Sequence, residues 1–344
     1  MVRAEEIQEK ALSLGFAKCG IIHLDAVAGY EKRLDERIRK FPESAAMYNT
    51  FRRYANVQQM FPWVKSLVVA VWEYRKYKIP KNLRGRIGLS YQFDSRIDPA
   101  SEGFQKRDEF AAFMKDRGLK VGREERFGFT AVRYAAMMAG LGVIRNNNFF
   151  YTENGSWNNI FVFAIDRELE LVETPQAKKC PDNCNRCIKA CPTGSLDEPF
   201  SMNPRKCVSF LTSKGGGVVN LAGNPAAKSL GNWVYGCDVC QDVCPFNSNR
   251  FTNETDFPGL DRIAANLSLE QIIDMDEDFY KNKICRKFFY LDESKLWVWK
   301  VNALNAMING FEPKYEPYIR KCLHDPNERV SMMAAWASKA LGIL

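Results

Sequence analysis

The sequence contains no long hydrophobic stretch. Its longest clean apolar run covers residues 66–72, whereas a membrane-spanning helix needs about 20 consecutive apolar residues. The N-terminal segment MVRAEEIQEK has acidic residues where a secretion signal needs an apolar segment, and it has no twin-arginine pair. These absences predict a cytoplasmic protein that does not associate with a membrane.

Histidine is also scarce, with 2 residues against 11 cysteines. Disulfides are rare in cytosolic proteins, so the cysteines need another use. The 49 Lys and Arg against 41 Asp and Glu leave a net charge of +8, which is compatible with an anionic partner but does not require one. A hydrophobic content of 46% and a charged content of 26% exclude a disordered or fibrous chain.

Most of the cysteines fall into two strings. The first reads Cys180-x3-Cys184-x2-Cys187-x3-Cys191-Pro192, and the second reads Cys237-x2-Cys240-x3-Cys244-Pro245, with Cys207 alone between them. Each string matches the ligand run of a bacterial two-cluster ferredoxin, in which the cysteine before proline ligates the other cluster. The spacing therefore predicts two [4Fe–4S] clusters with crossed ligands. One takes Cys180, Cys184, Cys187 and Cys244, and the other takes Cys191, Cys207, Cys237 and Cys240.

Zinc is the alternative occupant of such cysteines, because zinc sites also use paired CxxC motifs. The x3 step of the first string and the proline after each terminal cysteine favour iron–sulfur clusters. Cys19, Cys285 and Cys322 stand alone in apolar surroundings, which predicts buried, unreactive thiols.

Hydrophobic periodicity predicts an α/β (α+β) arrangement before the cysteines. Helices are predicted at 5–14, 104–117 and 130–139, and strands at 16–22, 66–72 and 160–165. From residue 296 onward the pattern predicts helices, and the similarity of 297–304 to 332–337 is a weak signal of paired-helix repeats.

The segment 74–86 carries six basic residues, no acid, and Tyr74 and Tyr77. Basic side chains suit phosphates and aromatic rings suit unstacked bases, so this segment is a candidate nucleic-acid contact. A solvated loop is the alternative interpretation.

The cysteines are flanked by further motifs. Ala139-Gly140-Leu141-Gly142-Val143-Ile144, Asn147 and Gly155-Ser156-Trp157 precede them, and the second string is embedded in YGCDVCQDVCPFN at 235–247. In this order, and with the helical tail, the sequence resembles the epoxyqueuosine reductase family. Its members are cobalamin-dependent iron–sulfur enzymes that act at the wobble position of tRNA and are related to reductive dehalogenases.

The resemblance implies three domains. These are a nitroreductase-like cobalamin domain at 1–175, a two-cluster ferredoxin-like domain at 176–250 and a HEAT-like helical region at 251–344. It also implies base-off cobalamin, held by Gly140, Leu141, Gly142, Asn147, Gly155, Ser156 and Trp157. Glycines let a backbone approach a flat ring closely, although Gly140 also suits a helix end and Gly155 a turn. The sequence has no Asp-x-His-x-x-Gly string that would supply a histidine to cobalt.

One departure from the family concerns the proton donor. Family members carry an aspartate before the AGLG motif, and counting back from Ala139 puts Arg126 at that position. Loss of oxygen from an epoxide requires protons, so Glu125 or Tyr134 becomes the candidate donor. The GKNT segment of the family is also changed, to Arg145-Asn146-Asn147-Asn148.

The sequence therefore predicts a cobalamin- and two-[4Fe–4S]-dependent reductase that resembles epoxyqueuosine reductase. It is expected to bind tRNA and to receive electrons from an external donor such as flavodoxin or ferredoxin. A paralogous reductase of a small molecule such as an organohalide is the first alternative. A two-cluster electron carrier is the second.

Overall fold

A four-stranded antiparallel sheet forms the centre of the N-terminal part. The computed structural model describes residues 2–124, 126–213, 222–224 and 226–343. The strands are β1 (Lys18–His23), β2 (Ser66–Glu73), β3 (Val121–Gly122), β4 (Val143–Ile144), β5 (Phe150–Tyr151) and β6 (Asn158–Ile165). The sheet has the order β1-β2-β6-β3, and β4 and β5 pair separately. Because all pairings are antiparallel, α+β is the accurate class for this part.

Helices cover both faces of the sheet. The α-helices before the cysteines are α1 (Ala4–Ser13), α2 (Tyr30–Lys40), α3 (Ala45–Thr50), α4 (Leu89–Gln92), α5 (Glu102–Asp116) and α6 (Val132–Met138). Side chains alternate along β2: Val68 and Trp72 share a core with α1 and α5, whereas Leu67 and Val69 share a core with α6. Two buried faces explain why this strand reads as an unbroken apolar run.

The cysteine segment contains short helices, and longer helices follow it. They are α7 (Arg186–Ala190), α8 (Val208–Thr212), α9 (Ala226–Ser229), α10 (Val239–Asp242), α11 (Leu260–Ala264), α12 (Leu269–Asp274), α13 (Glu277–Phe279), α14 (Cys285–Lys287), α15 (Leu296–Asn309), α16 (Glu316–Cys322) and α17 (Glu328–Leu341). The predicted helical tail is present, and α15 packs against α17. The assignment of these helices to a HEAT-like region, and the three domain boundaries, remain predictions.

The C-terminal helices share one hydrophobic core with the cysteine segment. The Tyr235 and Trp299 rings stack at 5.1 Å between centroids. Asn302 on α15 donates hydrogen bonds to the Thr212 and Val234 carbonyls at 2.8 and 2.9 Å. These buried contacts fix α15 against the backbone next to Cys237. Within the described residues, no helix is long and apolar enough to span a membrane.

Candidate functional site

Four cysteines from both strings surround one small cavity. Cys180, Cys184 and Cys187 line it together with Cys244, which belongs to the second string. Cys187 lies on α7, and the Cys184 carbonyl accepts a hydrogen bond from the Asn146 amide at 2.8 Å. This set is the one that the crossed assignment groups around the first cluster.

The other four cysteines form a second set. Burial raises the pKa of the Cys240 thiol, and the charges of Cys237, Cys207 and Cys191 raise this pKa further. Burial likewise raises the pKa of Cys237, on which the Cys207 and Cys191 charges also act. Thiols that influence one another in this way lie close together, and each would ionise far more readily beside a metal cation.

The backbone explains how each string reaches the other set. Cys191 follows α7 and Cys244 follows α10, and both residues have extended backbone before a proline. Proline fixes its own φ and disfavours helix in the residue before it. The chain therefore leaves each loop at its last cysteine, and α7 packs against α10.

No group of three or more His, Cys, Asp or Glu among the described residues is gathered tightly enough to hold a single metal ion. The first four cysteines line one small cavity. Cysteine-only ligands around such a space suit an iron–sulfur cluster.

A second and much larger cavity lies beside the first cysteine set. It has a volume of about 820 Å³ and lies between α2, the segment 127–137, β4 and β6. Small-molecule sites usually measure about 300–1,000 Å³, so this cavity accommodates a large ligand. Cys180 lines both cavities, which makes this thiol the direct connection between the cluster set and the large cavity.

Gly142 is the one residue of the predicted cobalamin contacts that lines the large cavity. A Cβ on Gly142 would lie 2.1 Å from the Tyr151 carbonyl oxygen, so the neighbouring strand requires glycine here. Gly140 ends α6 with a φ of 72°, and a Cβ there would lie 1.7 Å from the Glu173 carbonyl oxygen. Leu141 is buried in the core beside α6. The AGLG motif thus mainly serves packing.

Asn147 also lies outside the large cavity. Its side-chain amide donates to the Tyr151 hydroxyl and to the Cys240 carbonyl, each at 2.9 Å. Asn147 is 3% exposed and lines the cavity of the first cysteine set. It therefore joins the N-terminal part to both cysteine sets, and its position does not support the predicted cobalamin contact.

The GSW motif has a similar structural role. The Ser156 amide donates to the Asn247 side-chain oxygen at 2.9 Å, and the Ser156 hydroxyl donates to Gln241 at 2.8 Å. A Cβ on Gly155, where φ is 107°, would lie 2.6 Å from the same Asn247 oxygen. Trp157 is buried against Phe251. These three residues hold the second cysteine string against the sheet, and they do not line the large cavity.

Tyr134 lines the large cavity, and Glu125 lies outside the described residues. The Tyr134 ring lies 5.7 Å from that of Tyr30, and the Arg33 guanidinium lies 5.1 Å above it. Glu124 also lines the cavity, and its carboxylate accepts hydrogen bonds from the Arg126 and Phe127 amides at 2.9 and 2.8 Å. Tyr134 is therefore the predicted proton donor that the structure brings to the cavity.

Three arginines on the wall of the large cavity were missed by sequence reasoning. Arg33 and Arg37 are one turn apart on α2, and Arg133 lies on α6. Arg37 donates to the Asn148 side-chain oxygen at 3.3 Å, and Arg133 donates to the Asn148 carbonyl. In the described part of the chain, none of these three arginines forms an ion pair with a carboxylate. The i, i+4 spacing on α2 was the available signal.

The basic segment 74–86 differs from its prediction. Tyr74 and Tyr77 are 1% and 2% exposed, because both rings pack in the core with Phe93. The first basic residues of the segment are paired with acids; the pairs are Arg75–Glu73, Lys76–Glu102 and Lys78–Asp256. The tyrosines are therefore not base-stacking residues, and much of the charge of this loop is neutralised.

Comparisons with known proteins agree with this geometry. Residues 179–247 match a family described as "4Fe-4S double cluster binding domain". Epoxyqueuosine reductase from Prochlorococcus marinus (strain NATL2A) is 33% identical over 323 residues, covering 87% of this chain and 95% of the relative.

Solved structures have the same fold. Epoxyqueuosine reductase from Streptococcus thermophilus superposes with a TM-score of 0.77 at 21% identity, covering 99% of this chain and 90% of that chain. An epoxyqueuosine reductase in complex with an epoxyqueuosine-modified tRNA-Tyr stem loop superposes with a TM-score of 0.74 at 23% identity, covering 98% and 90%.

The cysteine segment therefore defines a double-cluster iron–sulfur protein with an attached ligand cavity. The identity and coverage of the Prochlorococcus relative define the family more closely. The chain belongs to the epoxyqueuosine reductase family, and it is an oxidoreductase.

Proposed function

We propose that this chain reduces epoxyqueuosine to queuosine in tRNA, using two [4Fe–4S] clusters and cobalamin. The observation that carries the proposal is the position of Cys180, which lines both the cavity of the first cysteine set and the cavity of about 820 Å³. A cluster bound through Cys180 would lie at the edge of the large cavity, where it could supply electrons to a ligand bound there.

The two cysteine sets suggest an order for electron transfer. The set with Cys180 borders the large cavity, whereas none of the second set lines it. An external one-electron donor, such as flavodoxin or ferredoxin, would therefore reduce the second cluster first. The Asn147 amide, which donates to the Cys240 carbonyl and lines the first cavity, bridges the two sets.

The volume and lining of the large cavity support a corrin cofactor. Aromatic and aliphatic side chains, among them Phe129, Val132 and Met137, line it together with polar groups at its edge. When bound there, cobalamin supplies a redox-active cobalt that delivers electrons to the substrate. Among the described residues that line the cavity there is no histidine, in keeping with a cofactor that receives no histidine ligand from this chain.

Reduction of an epoxide to an alkene consumes two electrons and two protons and releases water, so the cavity needs a proton donor. We assign this role to Tyr134, whose ring lies on the cavity wall beside Tyr30. The Arg33 guanidinium lies 5.1 Å from the centroid of the Tyr134 ring. The neighbouring tyrosine provides a second hydroxyl on the same wall.

The arginines of the cavity wall support a nucleic-acid substrate. Arg33, Arg37 and Arg133 line the cavity without a carboxylate partner in the described part of the chain. The phosphates of a tRNA loop would neutralise this charge while a nucleotide enters the cavity. The related structure with a modified tRNA stem loop is consistent with this substrate class.

The test is turnover by the reconstituted protein. Protein loaded anaerobically with iron, sulfide and cobalamin is incubated with a reductant and with tRNA that carries epoxyqueuosine. Nucleoside mass spectrometry should then detect queuosine, and protein loaded without cobalamin should produce none. Fully loaded protein that neither binds this tRNA at low salt nor converts it would refute the proposal and favour a small-molecule reductase.

A further inference from the structure

Arg145 is a buried cation at the first cysteine set. It follows β4, is 2% exposed, and lines the small cavity together with Cys180, Cys184, Cys187 and Cys244. Arginine is almost never fully buried without a partner. A guanidinium at this position therefore needs an explanation.

The contacts of Arg145 satisfy only part of its guanidinium. Its Nη2 donates to the Lys178 carbonyl, and its Cζ lies 3.3 Å from the Phe246 ring centroid. Its Nε and Nη1 are buried and have no hydrogen-bond partner in the described structure. Leaving charged N–H groups buried and unpaired is strongly unfavourable. Arg145 lines the same cavity as the four cysteines, so sulfur atoms in this cavity are the candidate acceptors for Nε and Nη1.

We infer that Arg145 is a positioning residue for the first cluster. Its guanidinium donates N–H groups to the sulfur atoms of this cluster and thereby raises the reduction potential of the cluster. The inference rests on the cluster assignment of the proposed function. Four thiolates give the cluster a net negative charge, and uptake of one electron makes that charge more negative. A fixed cation nearby stabilises the reduced form more than the oxidised form, and hydrogen bonds to the sulfurs act in the same direction.

The effect on the reduction potential is expected to be large for Arg145, which is buried, and small for Arg186, which is exposed. Arg186 lines the same cavity but is exposed, so water screens its charge. The guanidinium of Arg145 is sealed between Phe246 and Tyr151, whose ring centroid lies 4.8 Å away. The two arginines therefore form a matched pair that differs in solvent exposure.

The experiment measures the potential of each cluster in the reconstituted protein. EPR-monitored titration with dithionite as the electron source is carried out on wild type, Arg145→Gln, Arg145→Lys and Arg186→Gln. We expect Arg145→Gln to lower the equilibrium constant for reduction of the first cluster at least tenfold, which corresponds to a reduction potential lower by about 59 mV for a one-electron couple. Arg145→Lys should lower the potential of the first cluster less than Arg145→Gln does, because lysine keeps the positive charge. Arg186→Gln should change the potential of the first cluster far less. The potential of the second cluster should also change far less in every variant.

Two results would overturn the inference. One is an Arg145→Gln protein with an intact first cluster and an unchanged potential, which would mean that water or another group satisfies the guanidinium. The other is an equal shift of both clusters, which would indicate a general structural change.

A measurement without an Arg145 variant covers the case in which Arg145→Gln fails to load the cluster. Arg186→Gln protein labelled with ¹⁵N-arginine should show ¹⁵N hyperfine coupling in the reduced signal of the first cluster, and its absence would refute the inference. Iron and sulfide analysis separates the outcomes. Protein without clusters refutes the proposed function as well, whereas loaded protein without the coupling refutes only the role of Arg145.

Discussion

Two single residues, Cys191 and Cys244, link the two cysteine sets. Cys191 and Cys244 each end one string and join the other set, so each side chain connects two loops. Replacing Cys244 would remove a thiol from a set whose other three members lie more than 50 positions earlier in the sequence. The crossed arrangement therefore predicts that replacing the last cysteine of one string disrupts the cluster held mainly by the other string.

We expect Cys244→Ala to lose the cluster on Cys180, Cys184 and Cys187 and to retain the other. Iron content should fall from about eight to about four per chain, because each cluster holds four iron atoms. EPR of the reduced protein should show the loss of one signal. Cys322→Ala, at a buried thiol outside both sets, is the control and should keep both clusters. Loss of the cluster on Cys237 and Cys240 instead would contradict the crossed assignment.

A hydroxyl deletion tests the proton donor. Tyr134→Phe keeps the ring that packs beside Tyr30 and removes only the oxygen. We expect kcat to fall about 100-fold with little change in KM, which is the lower end of the usual effect of general acid catalysis. Tyr30→Phe is the matched control on the same cavity wall, and its kcat should change much less. Equal effects of the two substitutions would remove Tyr134 from this role.

Sequence reasoning at the residue scale succeeded where chemistry is encoded locally. Cysteine spacing indicates a cluster because ligands on one loop lie close together in any fold. By contrast, Tyr74 and Tyr77 looked suited to nucleic acid, yet both rings are buried with Phe93. Burial depends on elements far away in the sequence, so a basic and aromatic composition alone does not distinguish a surface from a core.

At the scale of secondary-structure elements, the ends of the helices position the site. Both α5 and α6 end before a glycine with positive φ, at Gly118 and Gly140. The predicted helices at 104–117 and 130–139 correspond to α5 and α6, because apolar periodicity and the terminal glycines are local signals. The helix α2 was not predicted, since its charged residues obscure its apolar face, and the cavity wall that it supplies was missed with it.

The two glycines provide a matched pair of substitutions. A Cβ on Gly118 meets nothing within 4 Å, whereas a Cβ on Gly140 would lie 1.7 Å from the Glu173 carbonyl oxygen. We expect Gly118→Ala to cost about 1 kcal/mol of unfolding free energy, which is the strain of the backbone alone. Gly140→Ala should cost about 3 kcal/mol or more, because it also displaces the segment that leads to Cys180. Denaturant unfolding measures both, and equal costs would show that the Glu173 contact is unimportant.

At the scale of the whole molecule, the distribution of charge matters more than its total. The net charge of +8 is a mild excess, and in many places acids pair with it, as at Arg52–Asp35 and Lys321–Asp274. The cationic wall formed by Arg33, Arg37 and Arg133 is different, because no carboxylate pairs with these residues in the described part of the chain. A polyanion therefore gains more from this wall than from the segment 74–86.

Two triple variants compare these surfaces directly. Replacing Arg33, Arg37 and Arg133 with Gln should weaken tRNA binding and lower the slope of log K against log salt concentration by about 2, because phosphate contacts release counterions. Replacing Arg75, Lys76 and Lys78 with Gln removes the same number of charges from residues already paired with acids. The slope of this second variant should change by less than 1. The titration is carried out with an epoxyqueuosine-modified stem loop from about 50 to 200 mM salt. A larger change of slope in the second variant than in the first would indicate that tRNA contacts the basic segment 74–86. The cavity arginines would then be expected to bind a small anionic ligand instead.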